Sequence, residues 1–428
     1  MSASERYDVA IVGASIAGCT AATLFGRRGA RVALIERHAD LGAYKTMCTH
    51  FIQSSAVPVV ERLGLAEEIA AAGGVATGGE FWTRWGWIRP PAASGRPPHS
   101  LNLRRARLDP LLRRTAARTE GVELLAGETV TALAREDNRI TGVETFARNG
   151  ERRTVRATMV VGADGRQSRV AELADVRGRV RQHGRFGYFA YYRNIRLRTG
   201  QKAQMWLLDP QVAYAFPVDD DLTLLAAMLT KDRLPEFKAD PEAGLLGLFR
   251  TLPDAPEIDS SRRVSKVLGK LEMPNVSRSP APRSRPGLAF IGDAAMASDP
   301  LWGVGCGFAL ESAEWLVEET AGALAAGSDL RAALGRYRRR HRSRLRGYDF
   351  LSCDYATGRR LNPVERLMFS AAARDAALAD RFEAFGTRNI PVRSFLSPRA
   401  IARAGVVNLR HRAAGRQPVR DAGVEVAS

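Results

Sequence analysis

The feature that most constrains this chain is a short glycine loop between two apolar runs near its N-terminus. Residues 7–12 read YDVAIV, residues 13–18 read GASIAG, a helical pattern follows to Phe25, and the run RVALIE ends at Glu36. The apolar runs are typical of buried parallel strands, so the segment predicts a β-α-β unit. A unit of this kind belongs to the α/β fold class.

The loop itself predicts a dinucleotide site. Gly13 permits a tight turn, Gly18 lets the helix and strand pack closely, and the helix start offers free N–H groups to a pyrophosphate. Glu36 ends the second strand, where a carboxylate can accept both hydroxyls of a ribose. The middle glycine of such loops is replaced by Ser15. The predicted contacts of this region are Gly13, Ser15, Ile16, Ala17, Gly18, Glu36 and Arg37.

Composition excludes several other classes of protein. The 428 residues are 45% hydrophobic, enough for one large domain or two closely packed ones. The net charge is +18, but the arginines are spread along the chain, with local runs such as 336–346 that are typical of solvated helix faces. This distribution does not indicate a nucleic-acid partner, although its field can attract anionic ligands.

Cysteine usage and hydropathy point to a reduced, cytoplasmic protein. The four cysteines, Cys19, Cys48, Cys306 and Cys353, include no CxxC pair, so neither a metal site nor a disulfide framework is indicated. No run reaches the roughly 18 apolar residues of a membrane span. The apolar N-terminal segment is explained better by the β-α-β unit than by a signal peptide.

Two later motifs identify the dinucleotide. Residues 159–170 read MVVGADGRQSRV, residues 287–300 read GLAFIGDAAMASDP, and the glycine run GVGCG follows at 303–307. With the first loop, in this order, they resemble the para-hydroxybenzoate hydroxylase-like (PHBH-like, group A type) FAD-dependent monooxygenases. That family is related to geranylgeranyl reductases and flavin-dependent halogenases. The resemblance spans residues 7 to about 320.

The resemblance implies a Rossmann-like FAD-binding domain of the GR2/PHBH type, interleaved with a mixed β-sheet substrate domain and followed by a helical C-terminal region. Alternating segments within 185–230 fit strands of the substrate-side sheet. Three strand-like runs ahead of the GADG motif are expected to form a small sheet. The predicted boundaries are 1–75, 100–180 and 280–325 for the FAD-binding domain, 76–99 and 181–279 for the substrate domain, and 326–428 for the helical region.

The resemblance also assigns roles to three charged residues. In the family, the aspartate of the GDAA motif, here Asp293 after Gly292, binds a ribityl hydroxyl of FAD. Asp164 of the GADG motif lies behind the nucleotide, and Arg105 approaches the pyrophosphate. The simpler alternatives are a turn cap for Asp164, a helix-end acid for Asp293 and a surface arginine for Arg105.

The glycine run 303–307 could be a second nucleotide loop, but no apolar strand directly precedes it and no ribose-binding acid follows. It is instead predicted to receive the flavin ring of the same FAD. By resemblance, Pro300 lies over the ring, and Gly303, Val304 and Gly305 approach its pyrimidine end, where N–H groups at a helix start stabilise negative charge.

Segment 42–55, GAYKTMCTHFIQSS, is expected near the flavin ring. Lys45 is its nearest cation, at a place where many relatives have arginine, and is a further candidate for cofactor binding or catalysis. His50 is either a proton carrier or a hydrogen-bonded structural histidine. Cys48 is either a redox partner or, as favoured here, a small packed residue.

Segment 81–91, FWTRWGWIRPP, carries three tryptophans. Trp85 and Trp87, together with Pro300 and Trp302, form the predicted substrate pocket; a purely structural aromatic cluster is the alternative. The segment superficially resembles the WxWxIP motif of flavin-dependent halogenases, but its spacing and its position before the GADG motif differ.

The function implied by the resemblance is an FAD-dependent monooxygenase. It would hydroxylate or epoxidise a small aromatic or natural-product substrate through a flavin C4a-hydroperoxide, with NADH or NADPH as the transient electron donor. No second Rossmann unit is present, so a separate flavin reductase is an alternative source of electrons. An alkene reductase of the geranylgeranyl-reductase kind, a halogenase and a non-enzymatic binding protein remain alternatives.

Overall fold

The computed structural model describes residues 6–91, 99–200 and 202–415; the remaining parts of the predicted boundaries, 1–5, 92–98, 201 and 416–428, lie outside the described residues. The strands are β1 Arg6–Val12, β2 Val32–Glu36, β3 Phe51–Ile52, β4 Val75–Thr77, β5 Gly79–Thr83, β6 Gly86–Ile88, β7 Ser100–Asn102, β8 Val122–Ala126, β9 Glu128–Glu136, β10 Arg139–Ala147, β11 Arg152–Gly162, β12 Arg179–Arg181, β13 Arg185–Arg193, β14 Ala203–Leu207, β15 Val212–Val218, β16 Leu222–Thr230, β17 Arg262–Arg263, β18 Leu268–Lys270, β19 Asn275–Ser277, β20 Leu288–Phe290 and β21 Met296–Ala297.

The helices begin directly after the glycine loop and dominate the chain beyond the last motif. They are α1 Ile16–Gly26, α2 Val57–Arg62, α3 Ala66–Ala71, α4 Arg105–Arg118, α5 Arg169–Leu173, α6 Leu234–Ala239, α7 Pro241–Thr251, α8 Gly305–Ala325, α9 Leu330–Tyr355, α10 Pro363–Ala372, α11 Ala376–Gly386, α12 Val392–Phe395 and α13 Pro398–Ala413.

The first sheet contains the predicted β-α-β unit. Its strand order is β8-β2-β1-β11-β10-β9, with β20 also paired to β11. Strands β8, β2, β1, β11 and β20 run parallel, whereas β9 and β10 are antiparallel. The expectation of a separate small sheet before the GADG motif was wrong. The 11 residues of β11 pair with β1 through residues 156–162 and with β10 through residues 152–156, so one strand joins both groups.

Helices cover one face of this sheet. Helix α1 is almost wholly buried between the sheet, α4 and α8, which explains why it is apolar on all sides rather than amphipathic. Strand β20 ends next to the glycine loop because it pairs in parallel with β11, which itself pairs with β1. The carboxyl ends of these strands therefore lie along one edge, where ligands of open α/β sheets bind.

The second sheet has eight strands in the order β17-β13-β16-β15-β14-β5-β6, with β18 paired to β13. Its long strands come from the 185–230 segment, as predicted. One face packs against α6 and α7, and the other against helices α10 to α13. The molecule thus has the predicted α/β fold class with a helical C-terminal region. Among the described residues, no helix is both long and apolar enough to cross a bilayer.

Candidate functional site

The glycine loop between β1 and α1 can be built only from glycine at two positions. Gly13 has φ +104°, and a Cβ there would lie 2.6 Å from the carbonyl oxygen of Ala163. A Cβ on Gly18 would lie 1.8 Å from the carbonyl oxygen of Gly13. The loop, the start of α1 and the GADG turn are therefore in van der Waals contact. This close approach leaves the N-terminal N–H groups of α1 facing the strand ends.

Glu36 lies at the end of β2 and is 8% exposed. Its Oε2 accepts a hydrogen bond from the backbone N–H of Ala14 at 2.8 Å, and its Oε1 accepts one from the N–H of His38 at 3.0 Å. The carboxylate is thus fixed against the glycine loop. Arg37 is exposed and its Nε lies 3.2 Å from Nε2 of His38, at the rim of the site.

One face of α4 organises the loop from the other side. Arg105, Asp109 and Arg113 are spaced four residues apart and are almost fully buried. Arg105 donates to Oγ of Ser15 at 2.6 Å, and Arg113 donates to the carbonyl oxygen of Ala14 at 2.8 Å. Asp109 accepts from Arg105 at 2.7 Å and so holds its guanidinium in place. Sequence reasoning identified Arg105 but missed its two helical neighbours, although the four-residue spacing of charges was visible.

Lys45 and Asp293, 248 residues apart, meet across the mouth of the site. Nζ of Lys45 lies 2.9 Å from Oδ2 of Asp293, while the backbone N–H of Lys45 donates to Asp109 at 3.0 Å. Burial tends to raise the pKa of Asp293, but the Lys45 ammonium outweighs it and holds the pKa below its ordinary value. The Asp293 carboxylate in turn raises the pKa of Lys45. Both groups are therefore charged at neutral pH.

Asp164 forms a hydrogen bond within its own turn, at the start of α5. Its Oδ2 accepts from the N–H of Val170 at 2.9 Å, and Oγ of the nearby Ser168 accepts from Ala171 at 3.0 Å. These are capping bonds at the start of α5. The other Asp164 oxygen is buried and has no hydrogen-bond partner among the described residues, and burial raises the pKa of this carboxyl.

The Pro300 turn joins β21 to α8. Asp299 caps it, because its Oδ1 accepts from the N–H of Leu301 at 2.8 Å, and burial raises the pKa of Asp299 to about 6. Gly303 has φ +61°, and a Cβ there would lie 3.4 Å from Cβ of Phe51. Gly305 is exposed, with open space around the position of a Cβ. The start of α8 therefore has room beside its backbone.

The starts of α1 and α8 share a feature that favours an anionic ligand. Neither helix has a side-chain hydrogen bond at its N-cap position or an acidic residue in its first turn. Their first N–H groups and positive dipole ends are thus available to a ligand. The Glu36 carboxylate and the Arg105 guanidinium bond to the loop before α1, and the Asp293 carboxylate follows β20 at the same edge of the sheet. This donor and acceptor set fits the two phosphates, the ribose and the ribityl chain of FAD.

An apolar cavity lies on the other side of the Pro300 turn. Four parts of the chain line it, namely segment 42–55, the second sheet, the Pro300 turn and the end of α11. Its lining residues are Thr49, Phe51, Gly79, Glu80, Phe81, Ala203, Met205, Tyr214, Phe216, Pro300, Leu301, Trp302, Gly303, Phe382, Glu383, Phe385, Gly386 and Thr387.

The lining includes Pro300 and Trp302, as expected of a pocket beside the ring, but neither Trp85 nor Trp87. Trp87 lies on the opposite face of the second sheet, where its ring is 5.8 Å from that of Trp206 and its Nε1 donates to Asp254 at 2.7 Å. Strand alternation explains the position of Trp87, because it pairs with Trp82, which faces away from the cavity, whereas Phe81 faces it. Trp85, in the turn between β5 and β6, packs on the cavity side of the sheet but is not part of the lining.

Gln53 connects the cavity to the C-terminal helices, and sequence reasoning missed it. This residue is fully buried, and its Nε2 donates to the carbonyl oxygen of Trp302 at 3.3 Å and to that of Gly386 at 3.1 Å. Its Oε1 accepts from Arg388, which also donates to Glu311 of α8 at 2.5 Å. One side chain thus fixes the distance between the Pro300 turn and the end of α11.

His50 uses both ring nitrogens inside the protein. Its Nδ1 accepts from the N–H of Arg105 at 3.1 Å, and its Nε2 is bonded to the hydroxyl of Tyr191. The residue is 3% exposed and has φ 64°. This arrangement is that of a hydrogen-bonded histidine that orders segment 42–55 and the start of α4.

Comparison with known proteins agrees with this geometry. A family model for the FAD binding domain matches residues 6–229, more than half of the chain. The chain is 29% identical over 176 residues to 3-(3-hydroxy-phenyl)propionate/3-hydroxycinnamic acid hydroxylase 1 of Burkholderia vietnamiensis, which covers 40% of this chain and only 28% of that protein. It is 23% identical over 347 residues to digeranylgeranylglycerophospholipid reductase 1 of Methanococcoides burtonii, covering 79% of this chain and 80% of that protein.

Solved structures share the fold over nearly the whole chain. The p-nitrophenol 4-monooxygenase PnpA of Pseudomonas putida has a TM-score of 0.73 at 19% identity, covering 90% of this chain and 99% of that one. The flavin-dependent brominase Bmp2 has a TM-score of 0.75 at 18% identity, and the match covers 96% of this chain and 100% of that one. The chain therefore belongs to the FAD-binding-domain family of PHBH-like flavoproteins, whose cofactor is FAD and whose members are FAD-dependent oxidoreductases.

Proposed function

We propose that this FAD-dependent oxidoreductase is a monooxygenase that hydroxylates or epoxidises a small, largely apolar organic molecule, with NADH or NADPH as the electron donor. One observation carries the proposal. Pro300 and Gly303 form part of the wall of the aromatic cavity and also lead into the start of α8. A flavin ring received at that helix start would therefore lie beside whatever occupies the cavity.

The cofactor would extend along the edge of the first sheet, from Glu36 at the adenosine to the start of α8 at the ring. When bound, FAD supplies the redox chemistry, taking electrons from the nicotinamide and passing an oxygen atom of O₂ to the substrate by the route that the resemblance implies. The residues that we assign to this site are Gly13, Ser15, Ile16, Ala17, Gly18, Glu36, Arg37, Lys45, Arg105, Asp164, Gly292, Asp293, Pro300, Gly303, Val304 and Gly305.

The cavity would exclude water and orient the substrate. Seven aromatic side chains line it, and the Glu80 carboxylate in its wall is paired with Arg89 at 3.1 Å and Lys202 at 3.2 Å. A flat aromatic or conjugated substrate suits such walls better than a charged one, because burying an unpaired charge there would be costly. We assign Pro300, Trp302 and Phe81 to substrate contact.

The two candidate catalytic side chains are better described as positioning residues. The Nζ atom of Lys45 pairs with Asp293 at the ribityl end of the site. Both ring nitrogens of His50 are hydrogen-bonded, one to Arg105 and the other to Tyr191, and His50 would thus order the segment that borders the cavity. Shielding the reacting oxygen from water and placing the substrate are then the main tasks of the protein.

A reduction assay tests the proposal. The FAD-loaded protein would be mixed anaerobically with NADH or NADPH, with and without phenols, quinolines and polyenes, and flavin absorbance followed near 450 nm. We expect one donor to be preferred and at least one compound to accelerate the reduction. If neither donor reduces the flavin but a separately reduced flavin supports turnover, the electrons come from a partner reductase.

A second candidate function is an FAD-dependent alkene reductase. The observation that favours it is the extent of the match to digeranylgeranylglycerophospholipid reductase 1. That match covers 79% of this chain, about twice the 40% covered by the match to the hydroxylase. Such an enzyme would saturate an isoprenoid double bond without O₂. Product formation from a polyene under anaerobic conditions, with no oxygen in the product, would favour this function over the monooxygenase.

A further inference from the structure

Two of the four cysteines lie together at the ring end of the site. Sγ of Cys48, in segment 42–55, is 3.7 Å from Sγ of Cys306, in the first turn of α8. They are 258 residues apart in sequence. Both residues pack against the core formed by α1, α8 and the first sheet. Cys19 and Cys353 are buried elsewhere.

The two thiols have different electrostatic surroundings. Sγ of Cys48 accepts a hydrogen bond from the N–H of His50 at 3.3 Å. The pKa of Cys48 lies below its ordinary value, chiefly because Cys306 donates a hydrogen bond to it, with further contributions from His50 and Arg105. The same shared hydrogen, together with burial, raises the pKa of Cys306. Cys48 is thus the more acidic thiol and Cys306 the less acidic one, an asymmetry that favours attack by Cys48 in thiol–disulfide chemistry.

We propose that Cys48 and Cys306 form a redox-active dithiol, which a hydroperoxide closes to a disulfide. The Cys48 sulfur attacks one peroxide oxygen, the O–O bond breaks, and a sulfenic acid and the first water result. The Cys306 sulfur then attacks Cys48; the S–S bond forms, the S–O bond breaks, and the second water leaves with the thiol proton. In total, two thiols and one hydrogen peroxide give one disulfide and two waters, with two electrons moving from sulfur to peroxide.

The surroundings allow this closure. The sulfur atoms must approach from 3.7 Å to the roughly 2.05 Å of a disulfide. Cys306 is fixed in a long helix, whereas Cys48 lies outside the helices and strands and is only partly buried, so closure requires the Cys48 side chain to approach α8. The proposal does not depend on the monooxygenase activity, because hydrogen peroxide from any source can serve as the oxidant.

The test counts thiols after oxidation. The protein is reduced with dithiothreitol, desalted and treated with increasing concentrations of hydrogen peroxide. It is then denatured and labelled with a maleimide, and the labelled thiols are counted by intact-protein mass spectrometry. We expect two of the four thiols to escape labelling, a peptide cross-linked between Cys48 and Cys306, and full recovery after renewed reduction. Retention of all four thiols, or a cross-link that involves Cys19 or Cys353, would overturn the proposal.

Substitution of single cysteines separates the role of Cys48, which attacks the peroxide, from that of Cys306, which closes the disulfide. Cys306→Ser should accumulate a sulfenic acid at Cys48 that dimedone traps, whereas Cys48→Ser should keep all its remaining thiols at the same peroxide dose. Cys353→Ser is the matched control and should still lose two thiols. Circular dichroism melting of each variant identifies any loss of fold. Equal peroxide sensitivity of Cys48→Ser and the control would contradict the assignment.

Discussion

The two ends of the site differ in how they are built. At the end proposed for the adenosine, the glycine loop and Glu36 come from one continuous stretch of about 25 residues and are held by short hydrogen bonds. At the cavity end, the walls come from four separate parts of the chain, including α11 near the C-terminus. The first end is polar and closely packed around backbone groups, whereas the second is aromatic and packed by side chains.

This difference indicates which changes each end tolerates. Close backbone approach leaves no room for a side chain at Gly13 and Gly18, so substitutions there should affect both the fold and the cofactor. The cavity walls contact mainly one another and the expected substrate. Substitutions there should alter substrate use while FAD binding persists.

The largest effect is expected for Gly18→Ala. The new methyl group would lie 1.8 Å from the carbonyl oxygen of Gly13, so the loop must open and α1 must shift. We expect the free energy of unfolding to fall by about 2–4 kcal/mol and FAD affinity to fall at least a hundredfold. Urea unfolding and flavin fluorescence titration measure the two quantities.

Gly247→Ala is the matched control, because nothing lies within 4 Å of a Cβ at that position of α7. It should leave FAD affinity unchanged and raise the free energy of unfolding by about 0.5–1 kcal/mol, because alanine favours a helix interior more than glycine does. Wild-type affinity and stability of Gly18→Ala would show that the loop is not held as closely as described.

A smaller effect is expected for Glu36→Ala. The substitution removes the acceptor of the Ala14 N–H and the group assigned to the ribose, so FAD affinity should fall about tenfold to a hundredfold. Asp293→Ala should weaken binding at the ribityl end by a comparable factor. Fluorescence titration with FAD measures both, with the exposed Glu67→Ala as control. Equal affinities of all three variants would refute these contacts.

At the cavity end, Trp302→Ala should change catalysis rather than cofactor binding. Gln53 bonds the backbone of Trp302, so the turn can persist while the ring is lost. We expect a larger pocket, at least a twofold lower ratio of product formed to NAD(P)H oxidised, and FAD affinity within about twofold of wild type. Trp85→Ala, outside the cavity lining, is the comparison; the same loss of coupling in both variants would contradict the assignment.

A pH-dependent effect on stability is expected at Asp299. The folded-state pKa of Asp299 is about 6, above its ordinary value of 3.8, so the folded state holds this proton more tightly than the unfolded one. The stabilisation is fully present below about pH 4 and is lost as pH rises through 6. Asp299→Asn should therefore gain stability relative to wild type between pH 4 and pH 8, by up to about 3 kcal/mol. Urea unfolding of wild type and Asp299→Asn at pH 4 and at pH 8 tests this. A stability difference between the two proteins that is the same at both pH values would contradict it.

The sequence predicted the β-α-β unit well because its determinants are local. The β-α-β unit, Gly13, Gly18 and Glu36 need only strand and helix periodicity to be placed. The cavity end was predicted less well. Trp87 looked suitable by composition, but which face of β5 and β6 meets the Pro300 turn depends on the pairing of β5 with β14, more than a hundred residues later.

Two further parts of the site could not be read from local patterns. The bonds of Gln53 to Trp302 and Gly386 arise only when α11 packs beside the Pro300 turn. The contact between Cys48 and Cys306 likewise needs segment 42–55 to lie against α8. Both are long-range contacts without a short sequence motif, whereas Asp109 and Arg113 follow Arg105 at the four-residue spacing of one helix face.

Oxygen labelling tests the central claim most directly, that a flavin at the start of α8 oxygenates a molecule held in the cavity. The FAD-loaded protein would be supplied with NADH or NADPH under ¹⁸O₂, with phenols, quinolines and polyenes as substrates. The masses of the products would be measured by mass spectrometry. The account predicts one ¹⁸O atom in the product of at least one compound, with less product from Trp302→Ala than from Trp85→Ala. A saturated double bond formed without ¹⁸O, and equally well without oxygen, would contradict it.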